Sequence, residues 1–363
     1  MPPLLHNLST LRLQYLERLK GDVLFERPFT DKLKSLVGTD LLPPEQTSTV
    51  NVADVSNYIS SRIGWEWGRL LPGSFHTKQI KGQTAGDRFT SQVRSFLQDG
   101  IAICQDVRKT DWKYHLEEAR TRTGTKKKSA AKNPRIKASS FAQYQHLDRI
   151  RETFKDRPDL EAVFGSDYIV EPDIVVFSYP FDTDALGGRP TDSVATFSPL
   201  LTGIAVGHDL PFLHASVSCK LTIRSDRAQN ARLEALNLIR TRKGRVPNIA
   251  FVTAEPLPSR IGSLALGTGD VDCIYHAGLY ELVAALEATV RFSANKLPAD
   301  DAPDDEKIRL LSSEPEGEED ADRAVAEATP TRGGLATQQS KLKSMIEQGR
   351  LRDISDLVLD LLI

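Results

Sequence analysis

Apolar positions in the first twenty residues recur at helical spacing: Leu8, Leu11, Tyr15, Leu16 and Leu19 share one face, and Gly21 is placed to stop the helix. Residues 39–50, TDLLPPEQTSTV, break that pattern and read as a loop. It returns over 84–104, where Phe89, Val93, Phe96 and Leu97 form a stripe, so the part up to about residue 165 is predicted to be largely helical. Near residue 165 the period changes. Residues 167–179 (DYIVEPDIVVFSY) and 214–223 (HASVSCKLTI) are rich in β-branched and aromatic residues and predict strands. A helix follows, with Ser225 as its expected N-cap, a stripe of Ala231, Leu233, Ala235, Leu236 and Leu238, and a stop around Gly244. Then come NIAFVTAE (248–255), a loop broken by prolines, DVDCIYHA (270–277) and an amphipathic helix, LYELVAALEATVRFS. The order strand, strand, helix, strand, strand, helix predicts an α/β core over 166–296, a mixed β-sheet flanked by helices.

From residue 297 the chain turns acidic and poor in large apolar residues. Residues 297–338 are expected to be a disordered linker, and 339–363 regain a helical pattern, an amphipathic C-terminal helix that docks on the body or on a partner. The net charge of −2 conceals this division. Residues 297–363 carry 8 basic and 16 acidic side chains, while the first 296 carry 39 and 33. Eight Lys/Arg and no acid fall between Arg120 and Lys137. A basic body with an acidic tail suits a polyanionic partner, although a charge run alone is ordinarily a solvated loop.

Composition excludes other classes. With 40% hydrophobic and 26% charged residues in 363, the chain is globular rather than wholly disordered. No apolar run reaches the ~20 residues of a membrane span. The opening segment has no secretory pattern, and three widely spaced cysteines make no disulfide framework, so a cytoplasmic location is expected.

Chemistry enters with Asp173, directly after a proline inside a strand pattern, where a carboxylate is costly unless paired or holding a cation. Lys220 occupies a similar place in the next strong strand. Either alone is an ordinary surface residue. Together, at interior points of adjacent strands, they suit phosphodiester hydrolysis, in which the carboxylate binds Mg²⁺ and the lysine orients water and offsets negative charge. Arg224-Ser225-Asp226-Arg227 follows at a predicted helix start. Two arginines oppose the helix dipole there, and a major-groove reader gives them a reason: Arg pairs with guanine, and Asp accepts from cytosine. Glu234, seven residues after Arg227, lies on the same stripe and could join the metal site. The seven histidines have no metal-ligand spacing, Ser218 lacks a nucleophile elbow, and Gly267-Thr268-Gly269 reads as a turn.

These residues carry a family resemblance. Residues 216–255, with GTGDVDCIYHAGLYEL (267–282) and GQTAGDRF (82–89), resemble the NgoMIV group of type II restriction endonucleases, CCGG-site enzymes of the PD-(D/E)xK nuclease superfamily. The likeness spans about residues 1–296. It implies a restriction-endonuclease-like fold in a 1–296 domain and Mg²⁺-dependent cleavage of double-stranded DNA at a CCGG palindrome, GCCGGC, leaving 5′ overhangs. It also implies a homodimer or a homotetramer built as a dimer of dimers. Residue by residue, Asp173 would be the central metal ligand and Lys220 would position the water. Glu234 would replace the acid that Ser218 does not supply in the lysine's strand, and the Cys219 carbonyl would touch the metal. Arg224, Asp226 and Arg227, with Ser225 between them, would read CCGG, and Gln83 would contact DNA near the outer base pairs. Thr90 stands where the family pattern has Glu. That departure motivates the alternative of a sequence-specific DNA-binding protein with an impaired catalytic site.

Overall fold

The structure, a computed structural model, describes residues 4–24, 52–78, 80–108, 114–118, 138–155, 172–180, 210–267, 269–296 and 332–362. The expected loop at 39–50, the basic run at 120–137 and the acidic stretch 297–331 lie outside the described residues.

Two of the apolar runs become strands that are buried almost along their whole length. IVVFS (β2, Ile174–Ser178) has all five residues buried, and NIAFVT (β4, Asn248–Thr253) all but the first. A strand buried at successive positions is covered on both faces, which is why it reads as a run rather than an alternation. These strands belong to a six-stranded sheet with β1 (Tyr114–Glu118), β3 (Phe212–Lys220), β5 (Cys273–His276) and β6 (Leu351–Asp353), in the order β1-β2-β3-β4-β5-β6. β1 and β2 pair antiparallel, as do β2 and β3, while β3 through β6 are parallel. The fold is mixed α/β, as the strand and helix order predicts.

The helices are α1 (Leu4–Asp22), α2 (Val52–Leu70), α3 (Gly82–Arg108), α4 (His146–Lys155), α5 (Ser225–Thr241), α6 (Pro258–Ala265), α7 (Leu279–Lys296), α8 (Arg332–Glu347) and α9 (Ile354–Asp360). α1 and α3 pack through their apolar stripes, with the Tyr15 and Phe96 rings 5.0 Å apart. α3 meets α9 so closely at Gly100 that a Cβ there would lie 2.6 Å from Val358 Cγ2, which is room for hydrogen only.

Three segments differ from their sequence reading. The proline-broken loop contains α6, because Pro258 falls in its first turn, where a missing N–H costs nothing. YHLEE forms β1 inside a part expected to be helical; its partner β2 supplies the apolar surface that its own polar sequence does not advertise. The third is the single helix expected over 339–363. It is replaced by α8, which already begins at Arg332 inside the expected linker 297–338, and by β6 and α9: Gly349, at φ 66°, turns the chain out of α8, and a capping box between Asp353 and Asp356 starts α9.

This segment is tied to the body by charge. The Arg12 guanidinium on α1 donates to Asp353 at 2.8 Å through both Nε and Nη2. It reaches Glu281 on α7 at 2.9 Å through Nη1 and at 2.6 Å through Nη2. Burial alone would raise the Asp353 carboxyl, but the bonds and charge of Arg12 and the Ser355 donors outweigh it and hold the group below its ordinary value.

Candidate active site

The register of β2 against β3 sets the site. Ile174 lies opposite Val217, so Asp173, one residue before β2, faces the end of β3. There its Oδ2 accepts from the Cys219 N–H at 2.8 Å and from Lys220 Nζ at 2.7 Å, with Ser218 Oγ at 3.4 Å. Strand alternation explains the set: Ser218 and Lys220 share a face of β3, while the backbone N–H of the residue between them points sideways toward the neighbouring strand. The carboxylate is 5% exposed, and the lysine side chain is also largely buried. A buried acid thus sits beside a buried ammonium at the edge of an apolar sheet, where each offsets the other's desolvation.

From Lys220 the chain runs through Leu221, Thr222 and Ile223 to Arg224, which is the N-cap of α5 in place of the expected Ser225. Ser225, Asp226 and Arg227 form the first helical positions; their side chains lie outside the described set. Arg224 is exposed. Gln83 is exposed too, in the first turn of α3. Thr90 is buried on that helix, and its hydroxyl donates to the Gly86 carbonyl at 3.2 Å.

Of the expected donors, Asp173 and Glu234 would contribute carboxylates and Cys219 its backbone carbonyl. Among the described residues no group of three or more His, Cys, Asp or Glu comes together to hold a metal ion. The reason is again alternation. The Cys219 thiol is buried on the other face of β3, within electrostatic reach of Tyr15, leaving only its backbone on the Asp173 side. Glu234 is half-buried on α5. At the end of β3 the chain offers a cation the Asp173 carboxylate with the Cys219 backbone beside it. That fits a hard ion which takes oxygen ligands, keeps several waters and needs only one or two carboxylates.

A family model described as NgoMIV restriction enzyme matches residues 33–295, which contain Asp173, Lys220 and the whole of α5. The chain belongs to the NgoMIV restriction enzyme family. A relative, the type II restriction enzyme NgoMIV of Neisseria gonorrhoeae, is 39% identical over 259 residues, 70% of this chain and 85% of the relative. The family match takes in β1 to β5 and leaves out α1 and the segment α8-β6-α9. In this NgoMIV-family chain the two unmatched pieces are the ones that Arg12 joins.

Sequence reasoning did not single out two residues beside the site. Glu255, two residues past β4, is wholly buried, and burial raises its carboxyl above the ordinary value against opposing hydrogen bonds from Ile223 and Leu257. His276, at the end of β5, is also wholly buried, with its ring edge-on to Trp67 at 5.5 Å. The only signal for either was an ionisable residue directly closing an apolar strand run. Among the described residues no helix is long and apolar enough to cross a membrane.

Proposed function

We propose that the chain is a type II restriction endonuclease that hydrolyses double-stranded DNA at GCCGGC with Mg²⁺, leaving 5′ overhangs. The observation that carries this reading is the 2.7 Å contact between Lys220 Nζ and Asp173 Oδ2, at the end of a strand that leads within four residues to Arg224. Asp173 would hold the cation with the Cys219 carbonyl, and Glu234 would approach from α5. A bound Mg²⁺ supplies Lewis-acid polarisation of the scissile phosphate and a more acidic water. Lys220 orients the attacking water and offsets the negative charge that grows on the phosphate oxygens. The arginines and Asp226 at the helix start would read guanine and cytosine, and a two-fold site calls for a two-fold assembly, a homodimer or a dimer of dimers. The NgoMIV relative at 39% identity supports the class of activity.

The test is to digest plasmids carrying zero, one or two GCCGGC sites with and without Mg²⁺, and to sequence the ends. Cutting only at those sites, only with the metal, and with 5′ extensions is the expected result; an intact two-site plasmid overturns the reading. Asp173→Asn and Lys220→Ala should each lower the cleavage rate by roughly 10²–10³-fold or more while binding in Ca²⁺ survives. A normally cutting Lys220→Ala removes the catalytic assignment.

A further inference from the structure

α5 begins badly by its own chemistry. Its N-cap is Arg224, whose side chain makes no capping hydrogen bond. Arginine cannot accept from the open N–H groups there, as Ser, Asp or Asn would. Yet the reading helix has to start at a fixed distance from Lys220, because base contacts and phosphate chemistry happen on the same duplex.

The restraint comes from the next loop over. Glu255 Oε2 accepts the N–H of Ile223 at 2.9 Å; Ile223 is the residue immediately before the N-cap and the third after Lys220. Oε1 accepts the Leu257 N–H at 3.2 Å and receives Ser60 Oγ at 3.4 Å and Arg260 Nη1 at 3.5 Å. The backbone of Glu255 is fixed as well. Its N–H donates to Thr253 Oγ1 at 3.1 Å, and its carbonyl accepts from His276 Nε2 at 3.2 Å. One residue earlier, the Ala254 N–H bonds to the Leu221 carbonyl at 3.3 Å. The chain leaving β3 is therefore laced to the chain leaving β4, with one carboxylate as the fastening. A carboxyl group has two oxygens that can accept in this way. A glutamine has a single acceptor oxygen, so its NH₂ would face one of the two backbone donors.

We infer that Glu255 is a positioning residue that fixes the start of α5 relative to Lys220 and so couples base reading to cleavage. This rests on the proposed roles of Lys220 and of Arg224–Arg227. A second anchor restrains the middle of the helix: Arg232 pairs with Asp270 at 3.1 Å and donates to the Ser263 carbonyl at 2.6 Å.

The test compares the wild type with Glu255→Gln on duplexes holding the site that the wild type cuts and the same site with one base pair changed. Binding in Ca²⁺ and single-turnover cleavage are both measured. Displacing the helix start should lower cleavage of the proper site by about a hundredfold. The preference for it over the altered site should fall roughly tenfold. A merely structural role would scale both duplexes together with the folded fraction and leave the preference unchanged. If Glu255→Gln does not fold, Thr253→Val decides, since it removes the hydroxyl under the Glu255 N–H and keeps the charge. A smaller loss of preference is expected there. Full preference in a folded Glu255→Gln, or in Thr253→Val where the first variant fails, overturns the positioning role. Lys220→Ala run alongside separates the two claims: if it cuts normally the underlying catalytic reading has failed, and if it is dead while preference is intact only Glu255 is misassigned.

Discussion

Asp173 and Lys220 illustrate how a charge becomes visible in a sequence: each interrupts an apolar strand run, and burial there demands a partner. The structure puts that partner at 2.7 Å. His276 follows the same rule with a different solution. Its ring is buried neutral, Nδ1 accepting from the Gly278 N–H at 3.1 Å and Nε2 donating to the Glu255 carbonyl at 3.2 Å, a tautomer assigned from those partners. Burial pushes it down to about 4, against weaker upward pulls led by Asp353. The unfolded chain takes up a proton as pH falls through about 6.5, and the folded chain refuses it until about 4, so this contribution is full above the first value and lost between the two. The loss amounts to about 3 kcal/mol when complete. The urea midpoint of the wild type should therefore drop between pH 7 and pH 5 by more than that of His276→Gln; equal drops would discard the idea. Asp173 and Lys220 were legible because each breaks an apolar run in the sequence, although the structure puts them just before β2 and at the last residue of β3 rather than inside the strands. Glu255 and His276 were not, because a polar residue closing a strand usually faces solvent and only the neighbouring loops decide otherwise. The displacement of the N-cap from Ser225 to Arg224 was likewise invisible, since Ser225 is the better capping residue and tertiary bonds to Ile223 override that preference.

At the scale of elements, β2 to β5, α5 and α7 followed their periodicities and α6 did not, while neither of the strands β1 and β6 announced itself. Both are short, and each becomes a strand through its partner rather than through its own composition. β6 is held by more than backbone pairing. Asp353 closes it, caps α9, accepts from the Leu279 N–H at 2.9 Å and carries both branches of the Arg12 contact. Arg12 looked like any charged residue on an amphipathic helix, and only its facing carboxylates make it structural. Replacing it with Met keeps the aliphatic stem but leaves Asp353 and Glu281 facing each other in a largely buried place. Arg12→Met should cost about 3–5 kcal/mol, read as a lower urea midpoint with α8-β6-α9 becoming the first protease target. An unchanged midpoint would mean that the network contributes nothing.

On the scale of the whole molecule, the family-matched stretch 33–295 is not the whole folded body. Residues 332–362 bury Leu335, Leu342, Met345, Leu351, Ile354, Leu357 and Val358 and cover the edge of β5. A chain stopped after residue 331 would expose that edge and the apolar surface that those side chains cover. It should associate on a sizing column and melt well below the full chain; a monodisperse product with the same melting temperature would show the segment to be dispensable. A test of the acidic stretch therefore needs an internal excision that spares β6. Order of synthesis adds a consequence. Arg12 emerges from the ribosome early, but Glu281 follows 269 residues later and Asp353 341 residues later. At bacterial-to-eukaryotic elongation speeds, the second carboxylate arrives roughly 17–70 s after the arginine. A nascent polypeptide therefore waits on its late-made strand before the bond from Arg12 to Asp353 can close.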